Sequence, residues 1–202
     1  MAINLAKGQK IDLRKSSGEK LTSFCVGVNW GMIIKKGFLS TKKVAVDLDA
    51  SCALFDANNN LLEKVYFGRL QSDDRSIIHS GDDLTGDEDG DDGLDNEIIS
   101  VNLSKVAINV DKIVFFLNSF QQQDFASVPF AAIRLYEGTP EHVQNVVATY
   151  DIATDSSFRG YVSMVMGKLY KRNGEWKFNA IGDPTRDRNL EETISTIIKK
   201  YI

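Results

Sequence analysis

The 202-residue sequence predicts a mainly β fold, a β-sandwich of about ten strands closed by one C-terminal amphipathic helix. Three observations carry this. Short apolar segments with turn residues between them recur along the chain. Asn173-Gly174 joins two long apolar-rich runs, the dipeptide that a type I′ hairpin turn favours. The apolar period then changes at the tail, where Leu190, Ile194, Ile197, Ile198 and Tyr201 fall on one helical stripe.

Taken in order, Ile3, Leu5, Ile11 and Leu13 alternate with polar residues around Lys7-Gly8-Gln9-Lys10 and read as two strands paired through a turn. Phe24 to Trp30 follows as a strand. Residues 31–43, with Lys35, Lys36, Lys42 and Lys43 around Gly37, read as a long mobile connection. In Val44 to Phe55 the even positions (Val44, Val46, Leu48, Ala50, Cys52, Leu54) are apolar. Asp47 and Asp49 therefore share the other face, roughly 6.6 Å apart along the strand. Asp56 to Asn60 is turn chemistry, and 61–70 returns as the hairpin partner.

Residues 76–80 and 98–103 read as strands on either side of an acidic segment. Ile113 to Leu117 is a continuous apolar run, expected of a central strand covered on both faces. Asp124 to Val128 suits a short helical turn, and 131–136 and 146–152 suit further strands. His142 falls in a loop-like stretch between these two. Asn189 with Glu192 resembles a capping box at the start of the tail helix.

The compositional break is the segment Gly81 to Glu97, with nine acids and no base. The chain holds 28 acidic and 24 basic residues, so removing the segment leaves 19 against 24 and turns a net −4 into +5. So many carboxylates stay together either as a solvated disordered run or around a hard cation. Gly81, Gly86, Gly90 and Gly93 let the backbone fold back on itself, and calcium takes about six to eight oxygens in a flexible cage. No register places acids, glycine and the closing glutamate as an EF-hand loop requires. Asp47 and Asp49 form a natural second wall for such a site. His79, just before the loop, could support it from behind, though a strand-end histidine is the simpler reading.

The sequence otherwise reads as one domain over residues 1–202, with no linker and no run of apolar residues long enough to span a membrane. The N-terminus lacks the apolar core of a signal peptide, and Cys25 and Cys52 lack C-x-x-C spacing, so the expectation is a cytoplasmic protein with reduced thiols. No phosphate-binding glycine loop and no nucleophile–histidine arrangement is present, which argues against an enzyme. The enzymatic alternative is a Mg²⁺- or Mn²⁺-dependent phosphohydrolase using the same carboxylates. Nucleic acid is not an expected partner.

Val46-Asp47-Leu48-Asp49-Ala50-Ser51, His79-Ser80-Gly81-Asp82-Asp83-Leu84-Thr85-Gly86 and Gly90-Asp91-Asp92 together resemble the TerD family of tellurium-resistance and stress-response proteins, most closely its TerZ/TerX-like branch. Gly27-Val28-Asn29-Trp30, Asn118-Ser119-Phe120 and Gly174-Glu175-Trp176-Lys177-Phe178 extend the resemblance over essentially the whole chain. It implies a calcium-binding β-sandwich holding two ions and a role in resistance to tellurite and other chemical stress. Carried over by motif, the metal residues are Asp47, Asp49, Asp82, Asp83, Thr85 (through its carbonyl), Asp87, Asp89, Asp91, Asp92 and Glu97. The family runs Gly-Asp-Asp-Glu without a break, whereas Gly93 to Asn96 intervenes here before Glu97, so Asp95 and Glu97 compete for the last position. Other stress-complex proteins or the inner membrane surface are the partners to expect.

Overall fold

A computed structural model of the protein describes residues 3–4, 9–11, 13–14, 18–37, 40–153 and 155–202. The strands are β1 (Ile3–Asn4), β2 (Lys10–Ile11), β3 (Ser23–Trp30), β4 (Ile33–Lys36), β5 (Thr41–Val44), β6 (Leu48–Phe55) and β7 (Leu61–Val65). After them come β8 (Ile77–His79), β9 (Glu97–Asn102), β10 (Lys112–Ser119), β11 (Ala131–Thr139), β12 (His142–Asp151), β13 (Ser163–Arg172), β14 (Glu175–Thr185) and the helix α1 (Leu190–Lys200).

Twelve strands form two six-stranded sheets, ordered β1-β12-β11-β3-β9-β8 and β2-β14-β13-β10-β6-β7. Every pairing within them is antiparallel except β1 on β12. The inner faces meet through Phe24, Val26, Val28 and Trp30 of β3, Leu48, Ala50, Cys52 and Leu54 of β6, and Ile113, Phe115 and Leu117 of β10, all in one buried core. Alternation along β6 and β10 sends Ala53, Phe55, Val114 and Phe116 to the opposite face, where Ile194 and Ile197 of α1 cover them. The central strands β6 and β10 are therefore buried on both faces, as the apolar run of β10 requires.

The Asn173-Gly174 turn joins β13 to β14 with φ of 52° and 76°, positive at both central residues as type I′ demands. A one-turn 3₁₀ helix over Phe125–Ser127 has Asp124 as its cap, its side chain accepting from the Ala126 N–H. The Asn189 side chain caps α1 by accepting from the Glu192 N–H, and Glu192 reaches back to the Arg188 N–H. Ile198 departs from the expected stripe and stays exposed, while Thr193 takes a buried place.

Four expectations change. The two N-terminal strands do not pair with each other: β1 joins one sheet and β2 the other, with Leu5 to Gly8 outside the described residues. The lysine-rich connection is a two-stranded ribbon, β4 against β5. The predicted strand 44–55 is interrupted at 45–47, so Asp47 precedes β6 instead of lying within it. His142 opens β12 and pairs with Thr139, closing the hairpin from β11. The N-terminal difference reflects pairing partners distant in sequence, which local periodicity does not encode; the ribbon and the β11–β12 hairpin are local pairings that alternation alone did not mark.

Candidate metal centre

The acidic segment connects β8 to β9, adjacent strands of the first sheet, and crosses the end of the sandwich toward the start of β6. Backbone bonds anchor it at several points. Val46 N–H donates to Thr85 O (3.0 Å), Asp87 exchanges bonds with Trp30 O (2.9 Å) and Met32 N–H (3.0 Å), and Asn96 N–H donates to Val28 O (2.9 Å). Trp30 is fully buried beneath, its Nε1–H donating to Val46 O at 2.7 Å. Gly86, at φ 72°, lies against this indole: a Cβ there would stand 2.5 Å from Trp30 Cδ1, so only glycine permits the crossing.

Two groups of carboxylates result. In the first, Asp47, Asp49 and Asp82 each bring an oxygen within 4.8 Å of the others; in the second, Asp87, Asp91 and Asp92 do the same. Asp47 and Asp49 are 3% and 5% exposed, so they are interior acids and not members of a half-exposed strand. Among the described residues neither has a basic partner, and Asp47 Oδ1 is buried with no hydrogen-bond partner at all. Burial, then the charges of Glu97, Asp47 and Asp82, push the Asp49 carboxyl up to about 8. Burial and the charges of Asp82, Glu97 and Asp83 push Asp47 up to about 6. A buried carboxylate without a counter-charge is costly, and protonation or a cation are the two ways to relieve it.

The remaining sequence-predicted residues take different places. Glu97 is fully buried behind the first group and accepts from Ala50 N–H (2.7 Å) and Asp83 N–H (3.3 Å), with burial raising its carboxyl. His79 stands 3.4 Å from Glu97. Its Nδ1 accepts from Gly81 N–H (3.1 Å), so Nε2 carries the proton and donates to Ala50 O (3.0 Å). Both ring nitrogens are occupied, and His79 is at once a strand-end residue and a neighbour of the acids. Asp83 Oδ1 accepts from the N–H groups of Thr85 and Gly86, and its Oδ2 from Asn96. Burial pushes the Asp83 carboxyl up, but these donors outweigh it and hold the group below its ordinary value. Thr85 lends its carbonyl to Val46 and its hydroxyl to Asp83. Asp89 is exposed and pairs with Lys43 at 2.7 Å.

Asp95 turns away from both groups. Its carboxylate, 1% exposed, lies across β3 and accepts from Arg134 Nε at 2.7 Å. A Cβ on Gly27 would stand 1.9 Å from Asp95 Oδ2, so this glycine makes room for the pair. Burial raises the Asp95 carboxyl despite the guanidinium. Of the two acids competing for the last position, Glu97 is the one directed toward Asp83 and β6.

Two asparagines escaped sequence reasoning. Asn96 Nδ2 donates to Asp83 (3.1 Å), the neighbour of Asp82 in sequence, and to Asp87 (2.9 Å) of the second group, while its Oδ1 accepts from Trp30 N–H. Asn29 donates to Asp91 at 3.0 Å, leaving its buried Oδ1 without a partner. Nothing in their spacing marks them, since neutral amides in a turn and in a strand carry no metal-ligand signature.

Comparison with known proteins follows the same outline. The family model described as the TerD domain matches residues 1–197. The chain is 34% identical to the tellurium resistance protein TerZ of Serratia marcescens, over 99% of each chain. It is also 34% identical to the stress response protein SCP2 of Bacillus subtilis, over 98% of this chain and all of that one. A solved homologue of the telluride resistance protein TerD, SCO6318 from Streptomyces coelicolor A3(2), superposes with a TM-score of 0.67. At 14% identity, over 88% of this chain and 95% of that one, it reports the shared fold.

Proposed function

The chain belongs to the TerD domain family, and from that premise we propose that it is a calcium-binding stress-response protein whose ions neutralise and order the acidic segment 81–97. The observation that carries the reading is the convergence of Asp47, Asp49 and Asp82, two of them buried, without a basic partner among the described residues. The donor set is oxygen throughout, because His79 has both nitrogens engaged, and oxygen donors suit a hard cation. Calcium accepts an irregular cage of carboxylates and carbonyls more readily than magnesium, which demands near-octahedral geometry.

Asp47, Asp49 and Asp82 would hold one ion and Asp87, Asp91 and Asp92 a second, with Asn96 bonding Asp87 of the second and Asp83 beside the first. Glu97 and Asp83 act from behind, fixing the backbone of β6 and of the loop. The anchors at Thr85, Asp87 and Asn96 are chain-to-chain bonds, so ion binding acts chiefly on the stretches between them. The neutralised surface then serves as a structural or sensing element read by another stress protein or by an anionic membrane surface. No described helix is long and apolar enough to cross a membrane. We read the ions as non-catalytic, since the histidine beside the buried acids has no nitrogen free to move a proton.

Calorimetric titration of calcium into metal-stripped protein, with magnesium as control, tests this. Two equivalents should bind, with Asp82→Ala abolishing one and Asp91→Ala weakening the other. Absence of heat and of any melting shift would remove the ion reading; turnover of a phosphate ester with Mg²⁺ or Mn²⁺, abolished by Asp47→Ala without unfolding, would remove the non-catalytic one.

A further inference from the structure

A second concave site lies on the outer face of the β6/β10 sheet, where α1 stops covering it. The cavity measures about 380 Å³, within the range of about 300–1,000 Å³ usual for small-molecule sites. Asp49, Ser51 and Asn118 form its floor. Asp49 and Asn118 are register partners on neighbouring strands, and Ser51 lies two residues on along the same face of β6. The following outward residues, Ala53 and Phe55, are apolar and lie beneath α1, so the polar character is confined to the uncovered end.

That floor is not satisfied from within the protein. Asn118 spends its Nδ2 donors on Ser163 (2.6 Å) and Thr193 (2.9 Å), leaving Oδ1 buried without a partner. Ser51 is fully buried and its Oγ has no partner either. Buried polar groups of this kind ordinarily find a partner, from protein, water or ligand.

One wall is aromatic: Tyr66 meets Phe67 edge-to-face at 5.3 Å and Phe67 meets Phe120 at 6.0 Å, with Phe120 61% exposed. The other wall is the start of α1, Asn189 and Leu190. The ion pair Lys64–Glu191 spans from β7 to α1 at the rim. With Asp49 and Arg188 also lining the cavity, acids and bases balance, so the site selects no net charge. Hydroxyl and amide groups below, a flat aromatic face beside, and no net charge match one chemistry. A sugar ring presents hydroxyls that both donate and accept, and a CH face that packs on an aromatic ring.

We propose that this cavity binds a neutral polyhydroxylated ring, a mono- or disaccharide or a cyclitol. Asp49 belongs both to the cavity floor and to the first carboxylate group, so the cavity adjoins the proposed ion, but the contacts argued for the ring are to Ser51, Asn118 and Phe120, which are outside both carboxylate groups.

Saturation-transfer NMR with methyl pyranosides, trehalose and myo-inositol as probes, on isotope-labelled protein in calcium buffer, tests it. A binding probe should receive transfer through its ring CH protons and shift the Asn118 side-chain amide together with Phe67 and Phe120. Phe120→Ala and Ser51→Ala should each weaken it about tenfold. Neither should lower the melting temperature, because one removes an exposed ring and the other an unpartnered hydroxyl. Absence of transfer from every probe at millimolar concentration, or binding unchanged in both variants, overturns the proposal. Binding of benzylamine or phenylphosphonate in place of the polyols overturns the ligand class.

Discussion

Replacing Asp49 by asparagine in metal-stripped protein is the perturbation that most directly tests the burial argument. The carboxyl moves from 3.8 to about 8 on folding, because burial and three neighbouring acids disfavour its charged form. Between those values the folded protein binds more protons than the unfolded chain, so stability is highest near pH 4 and falls as pH rises toward 8. At 1.36 kcal/mol for each pH unit of displacement, the loss is on the order of 5 kcal/mol. Asp47 acts in the same direction over a shorter window, ending at about 6. Acids with lowered values, such as Asp83 and Asp74, lose their contribution only as pH falls through and below the ordinary carboxyl range, so pH 5 to 8 reports on the raised acids, Asp49 and Asp47 together with Glu97 and Asp95, and Asp49→Asn singles out the first.

Thermal melts of dialysed protein at pH 5 and pH 8 measure this. For a chain of this length 1 kcal/mol is worth about 2–4 °C, so a fall of roughly 10 °C or more from pH 5 to pH 8 is expected. Asp49→Asn, which mimics the protonated acid, should remove most of the slope and melt above the parent at pH 8. Excess calcium at pH 8 should raise the parent and leave the variant behind. A parent that melts at pH 8 as high as at pH 5, with no effect of Asp49→Asn, would refute the claim that these acids are buried without a counter-charge.

Three further outcomes follow from other parts of the structure. Asp91→Asn with Asp92→Asn should lower calcium stoichiometry by one equivalent in calorimetry with little change in the metal-free melt, because both side chains are exposed. Gly27→Ala should destabilise by ~2 kcal/mol in urea unfolding, since a Cβ 1.9 Å from Asp95 Oδ2 forces that carboxylate off Arg134. Asn189→Ala should cost about 1 kcal/mol by the same assay, from loss of the bond that the Glu192 N–H donates to the cap.

Much of the fold was legible in residue order because it depends on local chemistry. Asn173-Gly174 tolerates positive φ, the stripe from Leu190 to Ile197 repeats at the helical period, and the apolar run of β10 leaves no solvent face. The nine acids of 81–97 marked the candidate site without any structure, and four of them, Asp82, Asp87, Asp91 and Asp92, fall in its two carboxylate groups. The even positions of β6 were also assigned correctly to the core.

What sequence could not decide was which distant segments meet. The same alternation describes β1 and β2 whether they pair with each other or, as they do, with β12 and β14. Lys35 and Lys42 face each other across a ribbon although nothing local favours two lysines opposite one another. Asp47 and Asp49 read as a second wall for the acidic segment, but their neighbours in sequence say nothing of how deeply the folded chain buries them. Glu97 and Asp95 differ only by two positions, yet one turns inward to Ala50 and the other across Gly27 to Arg134. Residue types and their local period determined the strands, the helix and the acidic loop. Long-range packing alone divided the carboxylates into two groups, buried Asp47 and Asp49 of the first, and left the end of a sheet face uncovered beside α1, because burial and charge pairing are properties of contacts between remote parts of the chain.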